Sequence, residues 1–184
     1  MKKGFTLLEL LIVIGILAIL ATAVTLVLNP IEMLKQSRDG KRLSDLRALN
    51  NAITFFITAS TTPTGNTFNC TASTTPYSGD TGTCSLNAIT AVNNTTGWVN
   101  INFSSISGGS PLSKLPLDPI NGLSGSGYYF YIYKTESDGA KFELNANMES
   151  VKYSETGGND VESNTKDGGD NNGVYETGSL LTSI

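Results

Sequence analysis

The chain is 184 residues long, with 12 Lys+Arg against 16 Asp+Glu and a formal net charge of −4. That mild acidity argues against nucleic acid, which needs a basic face to displace counterions. With no histidine and only two cysteines, His-based acid–base catalysis, His metal sites and Cys-rich zinc fingers are excluded, and the balance is against a soluble cytoplasmic enzyme. Charge is unevenly spread. Leu10 to Leu28 carries none, and from Ala48 to Tyr133 only Asp80, Lys114 and Asp118 are charged. The residues beyond 59 suffice for one small domain with its own core, not two.

Met1-Lys2-Lys3-Gly4 is a short basic stub, and Phe5 to Leu28 is almost wholly apolar. As a helix the apolar segment extends about 36 Å, enough to cross a hydrocarbon core about 30 Å thick. A secretory signal peptide and a plain single-pass anchor are the simplest readings. Ala21-Thr22-Ala23 fits a small-residue cut site, but the uncharged run is longer than the roughly 7–15 residues of a signal peptide's apolar stretch. Glu9 also sits at the leading end of the span, where an ionised carboxylate at depth costs a few kcal/mol, on the order of 3. A passive anchor gains by replacing it with leucine, so Glu9 needs a partner.

Lys2-Lys3-Gly4-Phe5-Thr6-Leu7-Leu8-Glu9, followed by the unbroken apolar run, resembles the prepilin signature of type IV pilins and type II secretion pseudopilins. The resemblance implies that a prepilin peptidase cuts between Gly4 and Phe5 and methylates the new amine of Phe5. It also implies that an inner-membrane assembly platform withdraws the subunit from lipid into a helical filament of identical copies. Glu9 then pairs with the Phe5 amine of a neighbour, setting axial register, because such a pair offsets desolvation of both charges only inside the assembled bundle. The expected location is the cytoplasmic membrane, single-pass with the N-terminus inside, and a cell-surface or extracellular filament after assembly. Lys35, Arg38, Lys41, Arg42 and Arg47 follow the span, so a bare positive-inside count favours the reverse orientation. The resemblance and the cysteines both place the head outside.

Asn29-Pro30-Ile31-Glu32 reads as a helix start, with Asn29 as N-cap, Pro30 at the first position and Glu32 reaching back, or as a kink where Pro30 cannot donate. Beyond it Leu43, Leu46, Leu49, Ile53 and Phe56 form an apolar stripe at helical period. Lys41, Arg42, Asp45 and Arg47 lie opposite, expected as a solvated face or as inter-subunit pairs. Thr58-Ala59-Ser60-Thr61-Thr62-Pro63 recurs as Thr71-Ala72-Ser73-Thr74-Thr75-Pro76, which marks exposed loop rather than a solenoid. Cys70 and Cys84 form an even pair in a loop-rich exported head and read as a disulfide, with two unpaired buried thiols as the alternative.

Val99, Ile101 and Phe103 alternate with Trp98, Asn100 and Asn102, predicting a half-buried strand. Lys114 to Pro119 is a breaker-rich connector, whose Asp118-Pro119 is similar to the region before the last strands of major pseudopilins. Tyr128–Thr135 and Ala140–Glu149 predict an antiparallel hairpin around Asp138-Gly139. In its second strand Phe142, Leu144, Ala146 and Met148 share one face, with Lys141, Glu143, Asn145 and Asn147 on the other. The expected fold is α+β: a long N-terminal helix packed on a small antiparallel sheet of three to four strands. The expected division is a leader at 1–4, a transmembrane helix at 5–28, its amphipathic continuation at 29–59 and a head at 60–184.

Ser154 to Gly173 is rich in Gly, Asn and Asp. It reads either as a flexible acidic tail or as a calcium loop, since hard cations take carboxylate oxygens from Gly-permitted turns. The segment is similar to the acidic C-terminal loop of major pseudopilins, where calcium stabilises the head. On that reading Asp167 and Asp170, then Asp160, are the ligands. No cofactor is required, and no catalytic set is readable. Leu180, Leu181 and Ile184 at the end suggest docking back onto the sheet. Three functions compete: a pilus-like filament subunit, a major pseudopilin of type II secretion, and a secreted binding protein cut after Ala23. An anchored hydrolase is the weakest, for want of an Asp/Glu pair in a recognisable motif.

Overall fold

The computed structural model describes residues 4–59, 65–77, 82–125 and 127–181. Lys2, Lys3, the tract from Ser60 to Pro63, Asp80 and Ile184 lie outside the described residues. The chain divides into two compact units at Lys35/Gln36.

In the first unit α1 spans Leu7–Leu28. No residue from Leu7 to Thr25 is buried, and the segment is long and apolar enough to cross a membrane. It stops at Asn29, which takes the left-handed conformation (φ 37°) that asparagine tolerates better than most residues. The chain then re-enters helix as α2, Pro30–Ala59. The helix start read at this junction is realised at Asn29 and Pro30, while Glu32 Oε1 has no hydrogen-bond partner and does not reach back. Asn29 Oδ1 accepts from the Glu32 N–H at 3.4 Å as an N-cap, and Pro30 contributes no N–H to the ladder. The long helix expected from the sequence is two helices with a one-residue break.

The second unit begins inside α2. Leu43, Leu46, Leu49, Ile53 and Phe56 are all buried, as their spacing predicts. They pack with Trp98, Phe103, Leu115, Tyr131, Tyr133 and the inward face of β6 in the main core. The sheet has five strands in the order β2-β1-β5-β6-β7: β1 Phe68–Cys70, β2 Ser85–Leu86, β5 Tyr131–Thr135, β6 Phe142–Ala146 and β7 Tyr175–Gly178. Only β1–β2 is parallel. A separate ribbon pairs β3, Gly122–Ser124, with β4, Gly127–Tyr129. The α+β class holds, but the sheet is wider than expected and mixed.

The hairpin is β5–β6, paired from Tyr131↔Ala146 to Thr135↔Phe142. Gly139 supplies the positive φ (67°), and the Asp138 carboxylate accepts from the Ala140 N–H at 2.9 Å, as a turn of this composition should. The strand expected from Tyr128 is interrupted at Phe130, so Tyr128 belongs to the ribbon instead. On the second sheet face Cys70, Tyr77, Cys84, Phe130, Ile132 and Val174 form a smaller core. Glu143 and Asn145, on the polar side of the sequence pattern, are fully buried there.

The strand expected around Val99 is absent. Trp98, Val99, Ile101 and Phe103 are buried, but the Trp98 N–H goes to Ile89 O and the Phe103 N–H to Val92 O, both at 2.9 Å. Single bonds to a folded-back loop leave no neighbour for a ladder, and a 3-10 turn follows at Phe103–Ser105. Burial without pairing produced the alternation. The acidic C-terminal segment is not a free tail either. A short α3, Asn164–Asp167, lies within it, and β7 follows it. Ser179 and Leu180 donate to Phe142 O at 2.9 and 3.2 Å, which docks the end on β6.

Candidate processing and assembly site

Phe5 is 87% exposed. A Cβ added at Gly4 would meet nothing within 4 Å, so the fold does not require a glycine there. Two residues on, Thr6 caps α1. The Thr6 N–H and hydroxyl both donate to Glu9 Oε2, at 2.8 and 2.7 Å, and the Glu9 N–H donates to Thr6 Oγ1 at 3.2 Å. This is a capping box, and it amends the sequence reading. Glu9 has a partner within its own chain, so the partner its charge calls for is already supplied by the Thr6 N–H and hydroxyl. The signal was present in the sequence as Thr6-Leu7-Leu8-Glu9, a T-x-x-E preceding an apolar run.

The second working surface is the charged face of α2, where the expected solvated face holds for Lys41 and Arg47 and is overturned at Arg42 and Asp45. Arg42 is fully buried and Asp45 nearly so. The Arg42 guanidinium donates to Asp118 through Nε (2.6 Å) and Nη2 (3.0 Å), and to Asp39 through Nη1 (2.7 Å). It also stands 4.8 Å above the Tyr129 ring. Arg38 grips Glu149 with two bonds of 2.6 Å. Asp39 in turn accepts from the Glu149 and Ser150 N–H groups at 2.9 and 2.8 Å, and Asp118 from those of Ile120 and Asn121 at 2.8 and 3.2 Å. Burial alone works against a charged Arg42, but the hydrogen bonds and charges of Asp118 and Asp39 outweigh it and raise its pKa. Lys41 pairs with Asp45, which also accepts from the Tyr131 hydroxyl at 3.2 Å. Arg38, Asp39, Arg42, Asp118 and Glu149 thus clamp α2 to the Asp118-Pro119 connector and to the segment that follows β6. Of the predicted set, Lys41 and Arg47 remain exposed.

Cys70 and Cys84 are joined, with Cα atoms 5.6 Å apart and both residues buried. The bond ties β1 to the two-residue β2. Replacing both cysteines with serine should lower unfolding free energy by about 3 kcal/mol. Denaturant midpoints of the two forms check this, and equal midpoints would deny the bond a stabilising role.

The acidic segment uses its carboxylates to hold turns. Asp160 accepts from the N–H groups of Thr156, Glu162 and Ser163 at 3.0–3.1 Å, and its pKa is lowered chiefly by the Ser163 hydroxyl. Glu162 accepts from the Met148 and Glu155 N–H groups at 2.6 and 2.9 Å, yet burial pushes it up to about 7. Asp167 accepts from the Gly169 and Glu176 N–H groups, each at 3.0 Å, and burial raises it too. Burial, and then its hydrogen bond to Glu143, pushes Glu176 up to about 9. Asp160 and Asp167 border one groove of about 410 Å³ with Arg47, Lys166 and Glu176, while Asp170 is exposed. Among the described residues no three Asp, Glu or Cys side chains converge as a metal site.

Against known families, the model of the prokaryotic N-terminal methylation motif matches residues 1–25. No curated protein and no solved structure matches the chain.

Proposed function

From the premise that this N-terminus is the prepilin signature of type IV pilins and pseudopilins, we propose that the protein is the structural subunit of a type IV pilus-like filament. The signature implies processing by a prepilin peptidase, membrane insertion before assembly, and filament formation, and it marks a structural rather than an enzymatic class. In the proposed sequence of events the chain is inserted through α1, N-terminus inside. It is cut between Gly4 and Phe5, methylated at Phe5, and withdrawn by the assembly platform into a helical array of copies at the cell surface. The reading rests on the motif standing on a helix with no buried residue from Leu7 to Thr25. An isolated head has no use for so much uncovered apolar surface.

Purified mature protein should begin at Phe5 and carry one methyl group on its amine. Peptide mass mapping and N-terminal sequencing check this. A start at Val24 would establish the secreted binding protein instead, and a start at Met1 would remove the reading altogether.

The organised acidic C-terminal segment favours a second reading, a major pseudopilin of type II secretion. Deleting the gene separates the two. Loss of surface filaments supports the first, and loss of protein export with filaments intact supports the second.

A further inference from the structure

A basic trough lies on the head of an acidic chain. The groove of about 410 Å³ described above adjoins a second of about 540 Å³, and the two share Arg47, Asp160, Val161 and Lys166. Tyr175 lines the first part and Tyr153 the second.

The cations of the trough are free. Arg38, Lys41, Arg42 and Lys141 are each ion-paired elsewhere. Arg47 and Lys166 are both exposed, and among the described residues neither has an ion-pair partner. Lys152 adds a third cation, its ammonium 5.1 Å from the Tyr153 ring centroid. The carboxylates of the trough, by contrast, are engaged. Asp160 accepts from three backbone N–H groups and the Ser163 hydroxyl, and Asp167 from the N–H groups of Gly169 and Glu176. Burial pushes Glu176 up to about 9, which leaves it neutral at pH 7.

Copies of a chain with a net charge of −4 repel one another. Heads brought side by side need a point where opposite charges meet, and that point also fixes their register. In a filament the contact has to join two different patches, because a patch that meets itself closes as a two-fold dimer and ends the array. Glu155 and Asp170 are exposed, but they belong to the acidic segment that builds the trough and would bring trough to trough. The β5–β6 turn is a separate feature. Asp138 is exposed there, with Oδ1 on the Ala140 N–H, while the nearby Glu136 is neutralised by Lys141 at 3.4 Å. The hairpin tip thus presents a carboxylate without a counter-charge.

We infer that the trough between Arg47 and Lys166 of one head receives the Asp138 turn of a second copy, a head-to-tail contact repeated along the filament. It rests on the filament reading above and names the surface by which successive heads recognise one another.

The test places Lys166→Cys and Asp138→Cys together in the full chain and treats sheared filaments with a short bis-maleimide. The native cysteines are joined to each other and do not react. Denaturing gels should show a ladder of dimers, trimers and longer chains, since each subunit offers one thiol to each neighbour. Either cysteine alone should give no ladder, and detergent-dissolved subunits of the double variant should give none. Reversing the trough with Arg47→Glu and Lys166→Glu should cut filament yield about tenfold, and adding Asp138→Lys should restore it to within about twofold of wild type. Urea midpoints of the dissolved chains check that these variants fold. Filaments of the double cysteine variant that yield no ladder would overturn the contact and leave the filament reading standing. So would dimers from Lys166→Cys alone in place of the ladder, or a reversed trough that assembles as well as wild type. A wild-type chain that makes no filaments would overturn the filament reading and the contact with it.

Discussion

Replacing Arg42 with alanine is expected to destabilise the head by about 3–5 kcal/mol, the scale of breaking a buried ion pair from one side. The cost is not the loss of attraction alone. Asp39 and Asp118 are both buried and both face the guanidinium, so its removal leaves two carboxylates without their counter-charge. The backbone N–H bonds to Asp39 and Asp118 soften the effect without cancelling it. Arg42→Lys should fall between the two, since it keeps a charge but loses the two-pronged grip on Asp118. Urea unfolding of the full chain in micelles checks the order wild type, lysine, alanine. An alanine variant within about 1 kcal/mol of wild type would show that the cluster fixes geometry without contributing stability.

Glu9→Leu should leave membrane insertion and cleavage after Gly4 intact while reducing filament yield by roughly tenfold or more, the consequence of losing a charge pair desolvated in the assembled bundle. The capping box sharpens this expectation. Because the free subunit already satisfies Glu9 with the Thr6 N–H and hydroxyl, a neighbour's amine must offer more than those two neutral donors. A charge-assisted bond to an ammonium does so. Thr6→Val supplies the comparison. It removes the hydroxyl cap at a cost of about 1 kcal/mol to the helix end but keeps the carboxylate, so filaments should persist. Immunoblots of membranes and of sheared surface material read both outcomes. Abundant filaments from Glu9→Leu would remove Glu9 from assembly.

Strong periodic signals carried through from sequence to structure. The stripe from Leu43 to Phe56 became the buried face of α2, and Asp138-Gly139 became the turn of the β5–β6 hairpin. What failed did so for identifiable reasons. β1, β2 and β7 are two to four residues long, too short for alternation to register; β1 and β7 pair with the two edges of the hairpin, and β2 with β1. The Trp98–Phe103 segment alternates because it packs, but its N–H groups are taken one at a time by a neighbouring loop. Arg42 was expected in solvent because a charge on a helix usually is. Its partner Asp118 lies 76 residues away, and no local pattern reveals such a contact. The burial of Glu143 and Asn145 was hidden for a related reason. The period of two assigns them to the wet side of the sheet, and only the fold shows that side covered.

The outer margins of the sheet have a consequence for crowding. One margin is β2, two residues clipped to its neighbour by the Cys70–Cys84 bond, and the other is β7, whose continuation at Ser179 and Leu180 turns back to Phe142 O. Neither presents a long flat row of open amides and carbonyls, the template on which strands from separate molecules stack into amyloid. A neighbouring head therefore finds no open edge on which to add a strand.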